Sequence, residues 1–141
     1  MLFRSEILIA DQEKNRIQQV NVQTGTVVKT FGKYGAAKGK FYSPIDVCLD
    51  EQRRIVVTEF CNRRIQVMTQ EGETVTMFGH TGPEELNYPT SCIPYKHMFL
   101  VADAGNGCIK VFDQRGTFLY KFGKQGNQFK MDNYFFRVVC F

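Results

Sequence analysis

The feature that most limits what this chain can fold into is a repeat. Phe31-Gly32, Phe78-Gly79 and Phe122-Gly123 are separated by 47 and then 44 residues. Self-similarity at a period of roughly 40–50 residues suits a four-stranded propeller blade, which buries its faces only against its neighbours. A second marker keeps the same beat. Ile9-Ala10-Asp11, Val57-Thr58-Glu59 and Val101-Ala102-Asp103 each end on an acid, and six residues past it stands Ile17, Ile65 or Ile109. Three residues past the acid are Lys14, Asn62 and Asn106, the first copy having its asparagine one place later at Asn15. Pro44 and Pro89 form a third marker, 45 residues apart. Three markers in phase are hard to obtain by chance.

Within one unit the sequence predicts four short strands, in the best copy Ile45 to Leu49, Ile55 to Thr58, Ile65 to Thr69 and Thr74 to Phe78. Turn-forming residues bound each of them, and no connection needs a helix. Asp11, Glu59 and Asp103 fall at the hairpin between second and third strands, where a carboxylate satisfies backbone N–H groups and Asn62 or Asn106 tolerates left-handed geometry. Phe31, Phe78 and Phe122 are expected to pack between neighbouring blades, each following glycine letting the chain turn inward.

Composition agrees with an all-β chain: 141 residues, 43% apolar, with 13 Phe and 6 Tyr against no Trp. The formal charge of +4 permits an anionic partner without demanding one. Cys48, Cys61, Cys92, Cys108 and Cys140 are odd in number and widely spaced, so neither a disulfide framework nor a zinc site is written here; free buried thiols are expected. Arg4 and Glu6 interrupt the stretch a signal peptide would need, and no run approaches the ~20 apolar residues of a membrane span. The expectation is a cytoplasmic protein with no cofactor and no metal.

The segment Val101-Ala102-Asp103-Ala104-Gly105-Asn106-Gly107-Cys108-Ile109-Lys110-Val111-Phe112, with Thr58-Glu59-Phe60-Cys61-Asn62-Arg63-Arg64-Ile65-Gln66-Val67 before it, resembles the NHL repeat. The resemblance implies a β-propeller, commonly six-bladed, found at the C-terminal end of tripartite-motif and other RING-type ubiquitin ligases, where it recognises protein or RNA partners. It divides the chain into a partial blade at 2–32, blades at 33–79 and 80–123, and the start of a further blade at 124–141. That last unit departs from the pattern, with Asp132 where Pro44 and Pro89 stood. The first unit begins at its second strand.

About three four-stranded blades make an incomplete ring, because propellers close with roughly 4–8. Exposed flanks predict that a longer chain supplies the missing blades or that copies associate.

Antiparallel order puts the turns between second and third strands and the inter-blade loops on one face. That face carries Lys33, Lys38, Lys40, Lys124 and Lys130 from the loops and Lys14, Arg16, Arg63 and Arg64 from the turns. Acids interrupt it, Glu84 and Glu85 among them. Tyr34, Tyr42 and Phe60 are available for stacking if exposed. The leading expectation is a protein-recognition scaffold serving a ubiquitin ligase of RING or tripartite-motif type; the alternative is a surface for single-stranded RNA. Catalysis has little support: His80 and His97 fall on opposite faces, and no G-x-S-x-G elbow or phosphate-binding loop is present. A propeller hydrolase or lyase is the third possibility, since unseen blades could hold ligands.

Overall fold

The structure, a computed structural model, describes residues 5–123. Among the described residues eleven strands form three antiparallel sheets in strict sequence order. The first holds β1 (Glu6–Asp11), β2 (Arg16–Asn21) and β3 (Val27–Phe31). The second holds β4 (Pro44–Leu49), β5 (Ile55–Glu59), β6 (Arg64–Met68) and β7 (Thr74–Phe78). The third holds β8 (Ser91–Tyr95), β9 (Met98–Asp103), β10 (Cys108–Asp113) and β11 (Phe118–Phe122), with a single 3-10 turn at Ala104–Asn106. Each sheet is a meander, and β4 lies against both β1 and β8, so these strands run along the inner side of the array. The result is a run of consecutive propeller blades that the described residues do not close into a ring.

Strands form here because β-branched and aromatic residues alternate between the two sides of a doubly covered sheet. In β5, Ile55 and Val57 turn toward the first sheet, while Val56 turns toward the third. Both sides find partners, so every residue of β5 and β6 is buried. The seam between the first two sheets packs Ile17 and Phe31 against Ile55, Val57 and Met68. The next seam packs Val56, Ile65, Val67 and Phe78 against Cys92, Phe99, Val101 and Phe112. The Phe78 ring lies 5.4 Å from Phe99 and 4.8 Å from Phe112.

The glycines after Phe31 and Phe78 sit at φ +84° and +92°, and a Cβ on either would strike Phe41 or Leu86. Those two residues hold one repeat position and pack under the inter-blade loop. Phe122 has no following sheet and remains half-exposed among the described residues.

Candidate recognition face

One carboxylate, one cation and one asparagine organise each junction between blades. In the second blade, Glu59 ends β5 fully buried. It accepts hydrogen bonds from Arg64 Nε at 2.6 Å, Gln66 Nε2 at 3.1 Å, Asn62 Nδ2 at 2.7 Å and the Tyr42 N–H at 3.2 Å. Arg64, 4% exposed, spends its remaining donors on the carbonyls of Ala36, at 2.6 Å, and Lys40, at 3.0 Å. Asn62 reaches the Gly35 carbonyl at 2.9 Å. The incoming loop is thus strapped to the turn beneath it, and four polar groups satisfy one another out of water.

The third blade builds the same strap from different residues. Asp103 accepts from the Asn87 N–H, at 2.7 Å, and from Asn106 and Lys110, each at 2.8 Å. Lys110 Nζ also donates to the Glu84 and Glu85 carbonyls at 3.2 and 2.9 Å. Arginine stood five residues after the acid in the second blade; here Cys108 holds that place and the cation stands seven after it. Both positions point to the same side of the strand, so the charge can move by two residues without leaving the carboxylate. In the first blade the Asp11–Arg16 pair, 2.8 Å apart, stays partly open to solvent among the described residues. The hydrogen bond from Arg16 holds the Asp11 carboxyl below its ordinary range.

These contacts put the inter-blade loops and the second-to-third-strand turns on one face, and they correct part of the sequence reading. Arg64 is not a surface residue, because both its charge and its donors are consumed inside the strap. Arg16 is likewise engaged by Asp11. Asn62 and Asn106 do not supply the left-handed turn: that conformation falls one residue later, at Arg63 (φ 53°) and Gly107 (φ 66°), while in the first copy Asn15 itself adopts it (φ 53°). The acids of the second and third blades secure the incoming loop rather than their own turn alone. Lys124 and Lys130 lie outside the described residues.

Lys33 and Lys38 stand exposed beside half-buried Lys40, and Lys14 and Arg63 are exposed on the neighbouring turns. Arg63 lies 4.3 Å above the Tyr88 ring and donates to the Tyr88 hydroxyl of the next loop at 2.7 Å. Phe60 packs against this group, its ring tilted 4.8 Å from that of Tyr88. Tyr34, 64% exposed, meets Tyr42 edge-on at 5.0 Å. Sequence reading missed Tyr88 and Lys110. The signal for Tyr88 was its place before Pro89, equivalent to Ser43 before Pro44; both residues take a positive φ, 52° and 55°. An open polar cleft of about 440 Å³ lies beside the group, lined by Arg63, Asn87, Asn106 and Lys121 together with Glu84 and Glu85.

On the inner strands, Cys48 Sγ lies 3.5 Å from the Cys92 carbonyl. Burial pushes the Cys48 thiol up to about 12 and that of Cys92 well above its ordinary value, so both stay neutral at physiological pH. Cys108 is buried and Cys61 half-buried; the thiols of Cys48, Cys61 and Cys92 are free, and Cys140 lies outside the described residues. Among the described residues no group of three or more His, Cys, Asp or Glu side chains is placed to hold a metal ion. No helix among them is long and apolar enough to cross a membrane.

Successive meanders strapped by a repeated acid define a repeat-built β-propeller. Residues 41–68 match the NHL repeat, the repeat that the sequence resembles. It is 30% identical over 98 residues to Protein brain tumor of Drosophila melanogaster, covering 66% of this chain and 10% of that protein. It is 33% identical over 49 residues to Protein lin-41 of Caenorhabditis elegans, covering 35% and 4%. The match therefore spans a tenth or less of either relative's length. Among solved structures, a streptogramin B lyase superposes with a TM-score of 0.65 at 14% identity, over 86% of this chain and 38% of that one. Hydrazine synthase of Kuenenia stuttgartiensis gives 0.64 at 15% identity, over 83% and 32%. These two likenesses concern the fold alone.

Proposed function

We propose that this chain is part of a non-catalytic recognition propeller whose loop-and-turn face binds single-stranded RNA. The observation that carries the reading is the combination of rings, Tyr34 and Tyr42 exposed and Phe60 and Tyr88 half-buried, with cations left over once the straps are satisfied. Lys14, Lys33, Lys38, Lys40 and Arg63 remain on that face against Glu13 and Glu85, with Tyr34, Tyr42, Phe60 and Tyr88 interleaved. Stacking a base on an aromatic side chain contributes about 1–3 kcal/mol, and loop lysines meet phosphates without needing a fixed sequence.

The test is fluorescence anisotropy with a labelled oligouridine probe. Contact with roughly four phosphates should weaken binding about 50-fold between 50 and 200 mM salt. Tyr34→Ala should cost about tenfold at either salt. Binding that ignores salt, or no binding at all, would sink the RNA reading. Targeting of proteins for a RING-type ubiquitin ligase is the second reading, supported by Arg63 and Tyr88, residue types that anchor protein interfaces. A protein partner held by apolar contact would bind nearly equally well at both salt concentrations.

A further inference from the structure

The second blade shows a guanidinium in a place that the third blade leaves open. Arg64, five residues after Glu59, runs under the incoming loop and donates to the carbonyls of Ala36 at 2.6 Å, Ala37 at 3.4 Å and Lys40 at 3.0 Å. Five residues after Asp103 stands Cys108, whose side chain is too short to do the same. Leu86 takes the repeat position of Phe41, so Gly82 corresponds to Ala37 and Glu85 to Lys40. Gly82, Glu85 and Cys108 all line the cleft of about 440 Å³. The cleft therefore opens at the position that the Arg64 guanidinium fills one blade earlier. Lys110 does not close it, because its ammonium is held by Asp103 at 2.8 Å and by the Glu84 and Glu85 carbonyls at 3.2 and 2.9 Å.

The wall of the cleft is short of donors. Where the second blade's loop carries Lys38 and Lys40, the third blade's carries Glu84 and Glu85. Lys121 answers Glu84 at 3.3 Å, and Arg63 is turned onto the Tyr88 ring. The exposed Glu85 carboxylate enters no ion pair among the described residues, and the side-chain oxygens of Asn87 and Asn106 accept no hydrogen bond there. An anion entering the cleft would meet Glu85. A guanidinium brings one positive charge and five N–H donors in a rigid plane, whereas an ammonium brings three donors at a point.

We propose that the cleft between the second and third blades receives an arginine side chain from a protein partner. The partner supplies from outside the group that Arg64 supplies from within at the preceding junction. Glu85 pairs with the charge, and Asn87 and Asn106 accept from the remaining N–H groups. This site stands apart from the RNA reading, since its central group is an acid that opposes phosphate.

Amide-correlation NMR of the full chain tests this, with acetyl-arginine amide as the probe. Saturable shifts are expected at the Asn87 and Asn106 side-chain amides and at the Glu85 N–H. Acetyl-lysine amide and the uncharged acetyl-citrulline amide should each bind about tenfold more weakly, and Glu85→Lys should weaken the arginine probe by about the same factor. Cys108→Arg combined with Lys110→Gln rebuilds the second blade's own arrangement, fills the cleft and should abolish the shifts. If that double variant fails to fold by circular dichroism, Glu85→Lys, on an exposed loop side chain, still decides the matter. Equal binding of the arginine and lysine probes, binding indifferent to Glu85→Lys, or no saturable shift would each overturn the proposal. So would shifts at the same amides from uridine monophosphate in place of arginine, which would give the cleft to nucleic acid.

Discussion

Arg64 and Lys110 share one task from positions two residues apart, and that displacement gives a test at the scale of the single residue. Removing one partner of a buried, hydrogen-bonded ion pair typically costs about 3–5 kcal/mol, because the other charge is left without compensation. Arg64→Cys should lower stability by that amount in urea denaturation. Adding Gln66→Lys reproduces the third blade's arrangement and should recover more than half of the loss. Lys33→Ala, on an exposed loop side chain, should change stability by less than about 0.5 kcal/mol. The acids and asparagines could be picked out from sequence by their phase alone. The cation could not, because in one blade it is an arginine beside a second arginine and in the next a lysine two places on. Only the fold reveals that Arg63 faces solvent while Arg64 is inside.

Among elements, the turn between third and fourth strands decides how closely two blades approach. Gly72, at φ +91°, receives the Phe31 ring of the preceding blade, and a Cβ there would come within 2.7 Å of it. Gly116 receives Phe78 in the same way. Gly25 occupies the equivalent turn of the first sheet, with nothing within 4 Å of a Cβ there among the described residues. Gly72→Ala therefore meets both backbone strain and a collision, and should cost about 2–4 kcal/mol; Gly25→Ala meets strain alone, about 1 kcal/mol. Thermal melts of the two variants separate the contributions. Strand positions were legible because alternation and turn chemistry coincide: β7 spans the expected Thr74–Phe78, and β5 exceeds its expected range only by Glu59. The packing of Phe31 on Gly72 was not legible, since the two residues belong to different repeats and no local pattern joins them.

At the scale of the whole molecule, order should follow coverage. Among the described residues the second sheet is covered on both sides and the first and third on one side each, so amide exchange should be slowest in β5 and β6 and faster in β1, β3 and β11. Exchange that is uniform across the three sheets would contradict this gradient. Between the second and third blades, the Asp46 carboxylate accepts from the Cys92 N–H at 3.4 Å near the inner strands, and Thr76 donates to the Arg115 carbonyl at 3.4 Å near the rim. The Arg63–Tyr88 contact crosses the same seam at the recognition face, with its cation on one blade and its ring on the loop entering the next. A partner that grips both groups would act as a rivet. Under a pulling force, this joint would resist parting more strongly when the face is occupied than when it is bare.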